Sequence, residues 1–184
     1  MKIWIGGLLA ASAALAGCSS DDPDATVAYC VGFGAGATVQ WNTCTNCTVN
    51  NTGNVSDGNL DTAASVVPNA LSTTDTFRLT ATSVNDIAGG GVVGLWITQP
   101  AGLTDFDTEI STYLDGDPTP VEVLDVATNG VTLGADEGTA AQGFIGMQTT
   151  QAFDQVVIER TSTYASGQTP VYFVYEACSD GGAE

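Results

Sequence analysis

A short acidic loop contains the residues best suited to chemistry. Asp57, Asn59 and Asp61 carry oxygen-bearing side chains at alternate positions. This spacing lets a tight loop direct its oxygens toward a hard cation such as Ca²⁺. The loop is not an EF-hand, because Thr62 and Pro68 occupy the positions where that template has Gly and Glu. The alternative is an Asp-Gly turn closed by side-chain hydrogen bonds, which requires no metal.

The overall charge excludes several other kinds of chemistry. The sequence has 184 residues, three Lys+Arg, 21 Asp+Glu and no histidine, which gives a formal charge of −18. Nucleic-acid binding needs clustered cations, so we expect no nucleic-acid partner. Catalytic triads and zinc sites that depend on histidine are excluded as well. Two carboxylates could serve glycoside hydrolysis, and Asp105, Asp107 and Glu109 alternate before a predicted strand. Catalysis requires a pair ~5–10 Å apart in a cleft, which sequence spacing does not define, and we predict that the chain is not an enzyme.

The two arginines outside the N-terminal segment, Arg78 and Arg160, lie on predicted strands. Each could form an ion pair at the surface or at a sheet edge, which contributes about 0–1 kcal/mol. The alternative is an arginine that binds the carboxylate of an acidic sugar.

The N-terminal segment is typical of an exported lipoprotein. Residues 1–17 combine one basic residue with an apolar run that is shorter than the ~20 residues needed to span a bilayer. The tetrapeptide that ends at Cys18 (LAGC) resembles a bacterial lipobox, in which cleavage precedes the cysteine and the cysteine carries the lipid. The alternative is an ordinary signal peptide followed by a coincidental cysteine.

The rest of the chain is predicted to form a tether and one domain. Residues 18–26 comprise the lipidated Cys18 and a short acidic tether, and residues 27–184 form the domain. By resemblance to enterobacterial sorting, Ser19 implies the outer membrane. We therefore expect a lipoprotein that is held in that membrane by its lipid, on the periplasmic face or at the cell surface.

Four further cysteines predict disulfide bonds in an exported chain. Cys30, Cys44, Cys47 and Cys178 allow three connectivities. We favour a local Cys44–Cys47 bond and a Cys30–Cys178 bond that joins the ends of the domain. A metal site built from all four thiolates is the alternative, although a second CxxC motif is missing from the sequence.

The elements predicted to position these residues are β-strands. Helical periodicity is almost absent after the leader, and short runs of β-branched and aromatic residues alternate with turn signals. Alternation is clearest in residues 76–83, where Phe77, Leu79 and Ala81 share one face. About ten strands without helices predict one all-β domain, an antiparallel β-sandwich. The aromatic residues predicted for its core are Trp41, Trp96, Phe144, Phe153 and Phe173.

The run from Cys44 to Thr62 resembles the start of β-sandwich modules common in surface proteins of marine bacteria. The resemblance continues in a Phe-Asp strand at Phe153 and in a final Tyr-x-x-Cys strand that ends at Cys178. The chain is also similar, more distantly, to discoidin (coagulation-factor type C) and galactose-binding-like jelly rolls. This similarity implies a jelly-roll-like sandwich with a structural Ca²⁺. The ligands that it implies are Asp57, Asn59, Asp61 and Thr62 in the loop and Glu176 in the last strand.

These features predict a non-catalytic, lipid-anchored binding or adhesion module whose partner is a glycan or a surface protein. One alternative is a structural subunit of a surface layer or fibre, which would self-associate and bind no small ligand. A small carboxylate-dependent hydrolase is the other alternative. For most of the acidic residues, we expect a role in solubility rather than in a site.

Overall fold

A computed structural model describes residues 37–57, 61–99, 103–125, 141–164 and 171–179, which form two stacked β-sheets. The predicted leader, the predicted lipidation site and the tether lie outside these residues. In the described part of the chain, no helix is long and apolar enough to cross a bilayer.

The described residues contain ten strands and one 3₁₀ helix, Thr52–Ser56. The strands are β1 (Thr38–Thr45), β2 (Cys47–Asn50), β3 (Ala64–Pro68), β4 (Thr74–Ile87), β5 (Val92–Gln99), β6 (Leu103–Tyr113), β7 (Glu122–Asp125), β8 (Ala141–Gln148), β9 (Phe153–Tyr164) and β10 (Tyr172–Ser179). The first sheet has the order β1-β4-β9-β6-β7, and the second has the order β2-β3-β10-β5-β8. Every strand pair is antiparallel. The predicted all-β, antiparallel sandwich is therefore confirmed.

The core lies between the two sheets and follows the period-two pattern of the strands. In β4, Phe77, Leu79 and Ala81 are each 0% exposed, as their alternation predicts. The antiparallel register places Leu79 opposite Ile158 and Ala81 opposite Val156 on β9, and both partners are also buried. Paired apolar residues on the central strands thus form the middle of the core.

Two of the predicted core aromatic residues take part in this packing. Phe153 is 1% exposed at the start of β9, which confirms the prediction. Trp41 on β1 is partly buried and packs against the core. Its ring lies 5.3 Å from the ring of Phe77, with a tilted geometry that aromatic pairs prefer.

The prediction that Phe173 lies in the core is wrong. Tyr172 and Val174, its neighbours on β10, are 1% and 0% exposed and point inward, so Phe173 points outward and is 40% exposed. Trp96 on β5 also alternates with buried neighbours and is only partly buried. The side chain of Phe144 lies outside the described residues.

A disulfide-bonded corner joins the two sheets. The chain leaves the first sheet at the end of β1 and enters the second sheet at β2, with only Asn46 between them. Asn46 has a φ of 60°, a left-handed conformation that asparagine tolerates. The predicted Cys44–Cys47 disulfide spans this corner, with a Cα–Cα distance of 5.3 Å. Of the other predicted pair, Cys30 and the side chain of Cys178 lie outside the described residues.

One end of the core is polar. Asp75, which is 1% exposed at the start of β4, accepts hydrogen bonds from the hydroxyls of Tyr164 and Tyr172. Tyr164 belongs to the first sheet and Tyr172 to the second, so the carboxyl group connects the two layers. Burial raises the pKa of Asp75, while the two hydroxyls and the positive charge of Arg160 act in the opposite direction.

Arg160 lies beside this polar end instead of at the surface. It is 2% exposed, and its guanidinium donates a hydrogen bond to the Thr108 hydroxyl at 3.2 Å. The interpretation of Arg160 as a surface or edge residue is therefore wrong. Burial lowers the pKa of the guanidinium, and the nearby tyrosines and Asp75 partly offset that effect.

Candidate functional site

The loop predicted to bind a cation begins at the 3₁₀ helix. Val55 in this helix is 0% exposed and belongs to the core cluster, so it anchors the loop. The side-chain amide of Asn54 donates a hydrogen bond to the carbonyl of Ala63 at 3.1 Å, which holds the two ends of the loop together. Asn54 therefore stabilises the loop that carries the acidic residues.

The carboxylate of Asp57 lies next to Thr62 within this loop. The Thr62 hydroxyl donates a hydrogen bond to Asp57 Oδ2 at 2.6 Å, and both groups are near the surface. Asp61 is exposed at the same turn, whereas Asn59 lies outside the described residues. The described donors are all oxygen atoms, which suits Ca²⁺. The hydrogen bond between Thr62 and Asp57 also joins the two ends of the loop without a metal, as the alternative of an Asp-Gly turn predicts.

The backbone brings Glu176 toward the same end of the second sheet. In the antiparallel pairing of β10 with β3, Phe173 lies opposite Ser65 and Val174 opposite Ala64. Further along β10, the chain therefore runs toward Thr62. The Glu176 side chain lies outside the described residues, and the predicted ligand set stays a prediction.

The structure places three other carboxylates together, which the sequence did not indicate. Ligand atoms of Asp86, Asp115 and Asp154 all lie within 4.8 Å of one another. They come from the end of β4, the β6–β7 turn and the start of β9, and so are far apart in sequence. The backbone N–H of Asp115 donates to Asp154 Oδ2 at 3.2 Å. Asp86 and Asp115 are exposed, so this group is a concentration of negative charge at the surface.

The outward side of the second sheet presents aromatic and apolar side chains. Phe173 on β10 and Trp96 on the adjacent strand β5 both alternate with buried neighbours and therefore face outward. The backbone N–H of Phe173 donates to the hydroxyl of Thr98, two residues along β5 from Trp96, at 2.8 Å. Val171, which precedes β10, is 39% exposed beside them. We call this surface the outer aromatic face.

Polar side chains continue the outer aromatic face toward the sheet edge. Asn50 on β2 and Ser65 on β3 lie opposite each other, and Ser65 also lies opposite Phe173. The Asn50 amide donates a hydrogen bond to the Ser65 hydroxyl at 3.4 Å. In the next row, exposed Thr48 lies opposite the partly buried Val67. Aromatic rings and hydrogen-bonding groups therefore share one side of the sheet.

The outward side of the first sheet differs because it is strongly acidic. Arg78 on β4 lies opposite Glu159 on β9, which lies opposite Glu109 on β6. Glu109 in turn lies opposite Asp125 on the edge strand β7. This acidic row sets three carboxylates side by side across neighbouring strands, where like charges are destabilising. We expect it to face solvent and counterions rather than an apolar partner.

Comparison with known proteins gives limited similarities. No protein-family model matches the sequence, and no curated protein matches it. Similar solved structures include TmCBM61 in complex with β-1,4-galactotriose, at 12% identity and a TM-score of 0.39, which covers 80% of this chain and 89% of that one. They also include CBM32-3 from a family 31 glycoside hydrolase of Clostridium perfringens, at 14% identity and a TM-score of 0.42, with coverage of 77% and 89%.

A third similar structure is an enzyme domain. The enzymatically active domain of tailspike protein 4 from bacteriophage CBA120 is 15% identical, with a TM-score of 0.43, and covers 79% of this chain and 19% of that one. Carbohydrate-binding modules are among these similar structures. At these identities and TM-scores, the similarities carry no argument about the ligand of this chain.

Proposed function

We propose that the chain is a non-catalytic carbohydrate-binding module and that the outer aromatic face is its binding surface. The observation that carries the proposal is the outward orientation of two aromatic side chains on adjacent strands, with Phe173 40% exposed. A soluble domain usually buries a phenylalanine on a sheet, so an exposed one that is flanked by apolar residues marks an interaction surface.

The chemistry of this surface suits a sugar. The apolar C–H side of a pyranose ring can lie against an aromatic ring, while its hydroxyls need donors and acceptors nearby. Asn50 and Ser65 offer such groups in the same cross-strand row as Phe173. Rigid strands hold all three backbones, which limits the conformational entropy lost on binding.

Glycan binding measured by affinity electrophoresis and calorimetry tests the proposal. We expect Phe173→Ala to weaken binding at least tenfold, equivalent to about 1.4 kcal/mol, because ring contact would be lost. Leu71→Ala is the matched control, since Leu71 is 101% exposed in the β3–β4 turn and belongs to neither sheet. A Phe173→Ala protein that folds and binds glycans as well as wild type would refute the proposed surface.

The same variants distinguish the assembly alternative. Phe173 and Val171 expose apolar area that a second copy of the chain could cover instead of a sugar. Sedimentation that shows self-association lost in Phe173→Ala, in a protein that binds no glycan of a broad panel, would favour a structural subunit over a carbohydrate-binding module.

We propose a structural Ca²⁺ in the loop, held by Asp57, Asn59, Asp61, Thr62 and Glu176. The adjacent Asp57 and Thr62 oxygens and the course of β10 toward the loop support the proposal. Bound Ca²⁺ would neutralise the acidic loop and stabilise it. We expect roughly 5–10 mM Ca²⁺ to raise Tm by several degrees in wild type and by less in Asp57→Ala. An unchanged wild-type Tm would eliminate the site.

We also propose that lipid on Cys18 anchors the module to the outer membrane. The lipobox-like sequence that ends at this cysteine supports the proposal. Mass spectrometry of detergent-extracted protein should find acyl chains on Cys18, and Cys18→Ser should move the protein out of the membrane fraction. Equal membrane association of the serine variant would contradict lipid anchoring.

A further inference from the structure

We infer that the ligand of the outer aromatic face is an uncharged glycan, and that sulfated and uronic-acid glycans are excluded. The inference rests on the proposed function and narrows the class of ligand. It follows from the positions of the few basic side chains of this chain and from its large negative charge.

The cationic side chains of the protein are too few and too distant to pair with an anionic sugar on this face. The whole sequence has three Lys+Arg, namely Lys2, Arg78 and Arg160. Arg160 is 2% exposed and already bonds Thr108, so it is not accessible to a ligand. Arg78 belongs to the other sheet, where it begins the acidic row opposite Glu159. Lys2 lies in the predicted leader.

Recognition of a carboxylate or sulfate ordinarily requires a positively charged partner. Arginine and lysine form the strong, charge-assisted hydrogen bonds with such groups. Asn50, Ser65 and Thr48 on the outer aromatic face are neutral amides and hydroxyls. The register of β10 with β5 also sets Glu176 opposite Trp96, and this residue is acidic rather than basic. The neutral groups can exchange hydrogen bonds with sugar hydroxyls, but they cannot compensate the desolvation of an anion.

Long-range electrostatics acts in the same direction. A formal charge of −18 surrounds the binding face with negative potential that repels a polyanion as it approaches. Salt reduces this repulsion, because the Debye length falls from about 30 Å at ~0.01 M to about 8 Å at ~0.15 M. Any binding of an acidic glycan should therefore depend strongly on salt, whereas neutral-glycan binding should change little.

Polymers that share a backbone and carry either neutral or charged substituents provide the test. We would compare hydroxyethyl cellulose with carboxymethyl cellulose, and methyl-esterified with free polygalacturonate. Each comparison would be made at salt concentrations of ~10 mM and ~150 mM, with EDTA present to remove Ca²⁺. For any polymer pair that binds, we expect the neutral polymer to bind at least tenfold more tightly than the charged one at low salt, equivalent to about 1.4 kcal/mol. We also expect that ratio to shrink as salt is added. Equal or tighter binding of the charged member would overturn the inference while leaving the proposed function intact.

A charge variant makes the test independent of the natural ligand's backbone. Thr48→Lys adds a cation to the outer aromatic face at an exposed position of β2, and Gln40→Lys adds the same charge to an exposed position of β1 on the other sheet. We expect only Thr48→Lys to gain affinity for the charged polymers. An equal gain in both variants would overturn the inference, because net charge alone would then be responsible. If no neutral or acidic glycan on a broad panel binds wild type, the proposed function itself fails.

Discussion

Replacing Tyr172 with phenylalanine tests how the polar end of the core holds the two sheets together. The substitution removes one hydroxyl, which donates a hydrogen bond to Asp75 Oδ2 at 2.5 Å. The ring itself stays, including its tilted contact with Phe77 at a centroid distance of 6.0 Å. The change therefore isolates a hydrogen bond between the two layers from the apolar packing around it.

The expected cost follows from the burial of both partners. Tyr172 and Asp75 are each 1% exposed, so water cannot replace the lost donor. Leaving a buried acceptor without its donor costs about 1–3 kcal/mol. For a domain of this size, about 2–4 °C of Tm corresponds to each kcal/mol, so we expect Tm to fall by roughly 2–12 °C. Tyr113→Phe is the control, because Tyr113 is only partly buried, and it should change stability by less than ~0.5 kcal/mol.

The pH dependence of this cost provides a second measurement. Because burial raises the pKa of Asp75, the folded state binds this proton more tightly than the unfolded chain, whose value is ~3.9. Stability from this group therefore falls as pH rises through the folded-state pKa. The Tyr172 hydroxyl lowers that pKa, so its loss should cost more as pH rises, because a larger fraction of the carboxyl is then ionised.

Urea unfolding of wild type, Tyr172→Phe and Tyr113→Phe across a range of pH measures both effects. Two results would refute the reasoning. One is a loss below ~0.5 kcal/mol for Tyr172→Phe at neutral pH. The other is a cost that stays the same on acidification, because it would mean that the hydroxyl does not stabilise the charged carboxylate.

Three further variants test other parts of the sandwich. Glu122→Ala removes a β7 carboxylate that accepts hydrogen bonds from the Thr150 backbone N–H at 2.9 Å and from the Thr150 hydroxyl at 2.7 Å. Urea unfolding should show a loss of about 1–2 kcal/mol in the free energy of unfolding, and no loss would mean that these bonds do not stabilise the fold. Glu109→Gln removes the central charge of the acidic row and should raise stability by about 0.5 kcal/mol at low salt; a gain that persisted at ~1 M salt would argue against charge repulsion. Replacing Cys44 and Cys47 together with serine should cost roughly 2 kcal/mol for so short a loop, and unchanged thermal unfolding would contradict this estimate.

The fold was predictable because its signals are local. Strand alternation fixed the inward face of β4, and the short separation of Cys44 and Cys47 indicated their disulfide bond. Asp75 shares the phase of Phe77 and Leu79 on β4, so the same alternation is compatible with a buried carboxylate. Acidic residues are ordinarily expected at the surface, so this alternation by itself does not distinguish a buried Asp75 from an exposed one.

The candidate surface was less predictable because it depends on which side of a strand faces the core. Residues 171–175 are apolar or aromatic throughout, so their alternation fits either orientation. Tyr172 points inward since Asp75 on the other sheet accepts its hydrogen bond, and this contact turns Phe173 outward. Arg160 is buried among groups that also include the other sheet's Tyr172. Contacts between sheets join residues that are distant in sequence, and one sequence does not reveal them.

The corner closed by Cys44 and Cys47 also controls how easily the molecule could exchange strands with another copy. Within the described residues, β1 and β2 are edge strands of their respective sheets. Edge strands are where sheets add foreign strands, and a short connection between elements can act as the hinge for domain swapping. Because the disulfide joins Cys44, the penultimate residue of β1, to the first residue of β2, the connection between the two strands cannot open as a hinge. When oxidised, this bond therefore disfavours strand exchange through this corner.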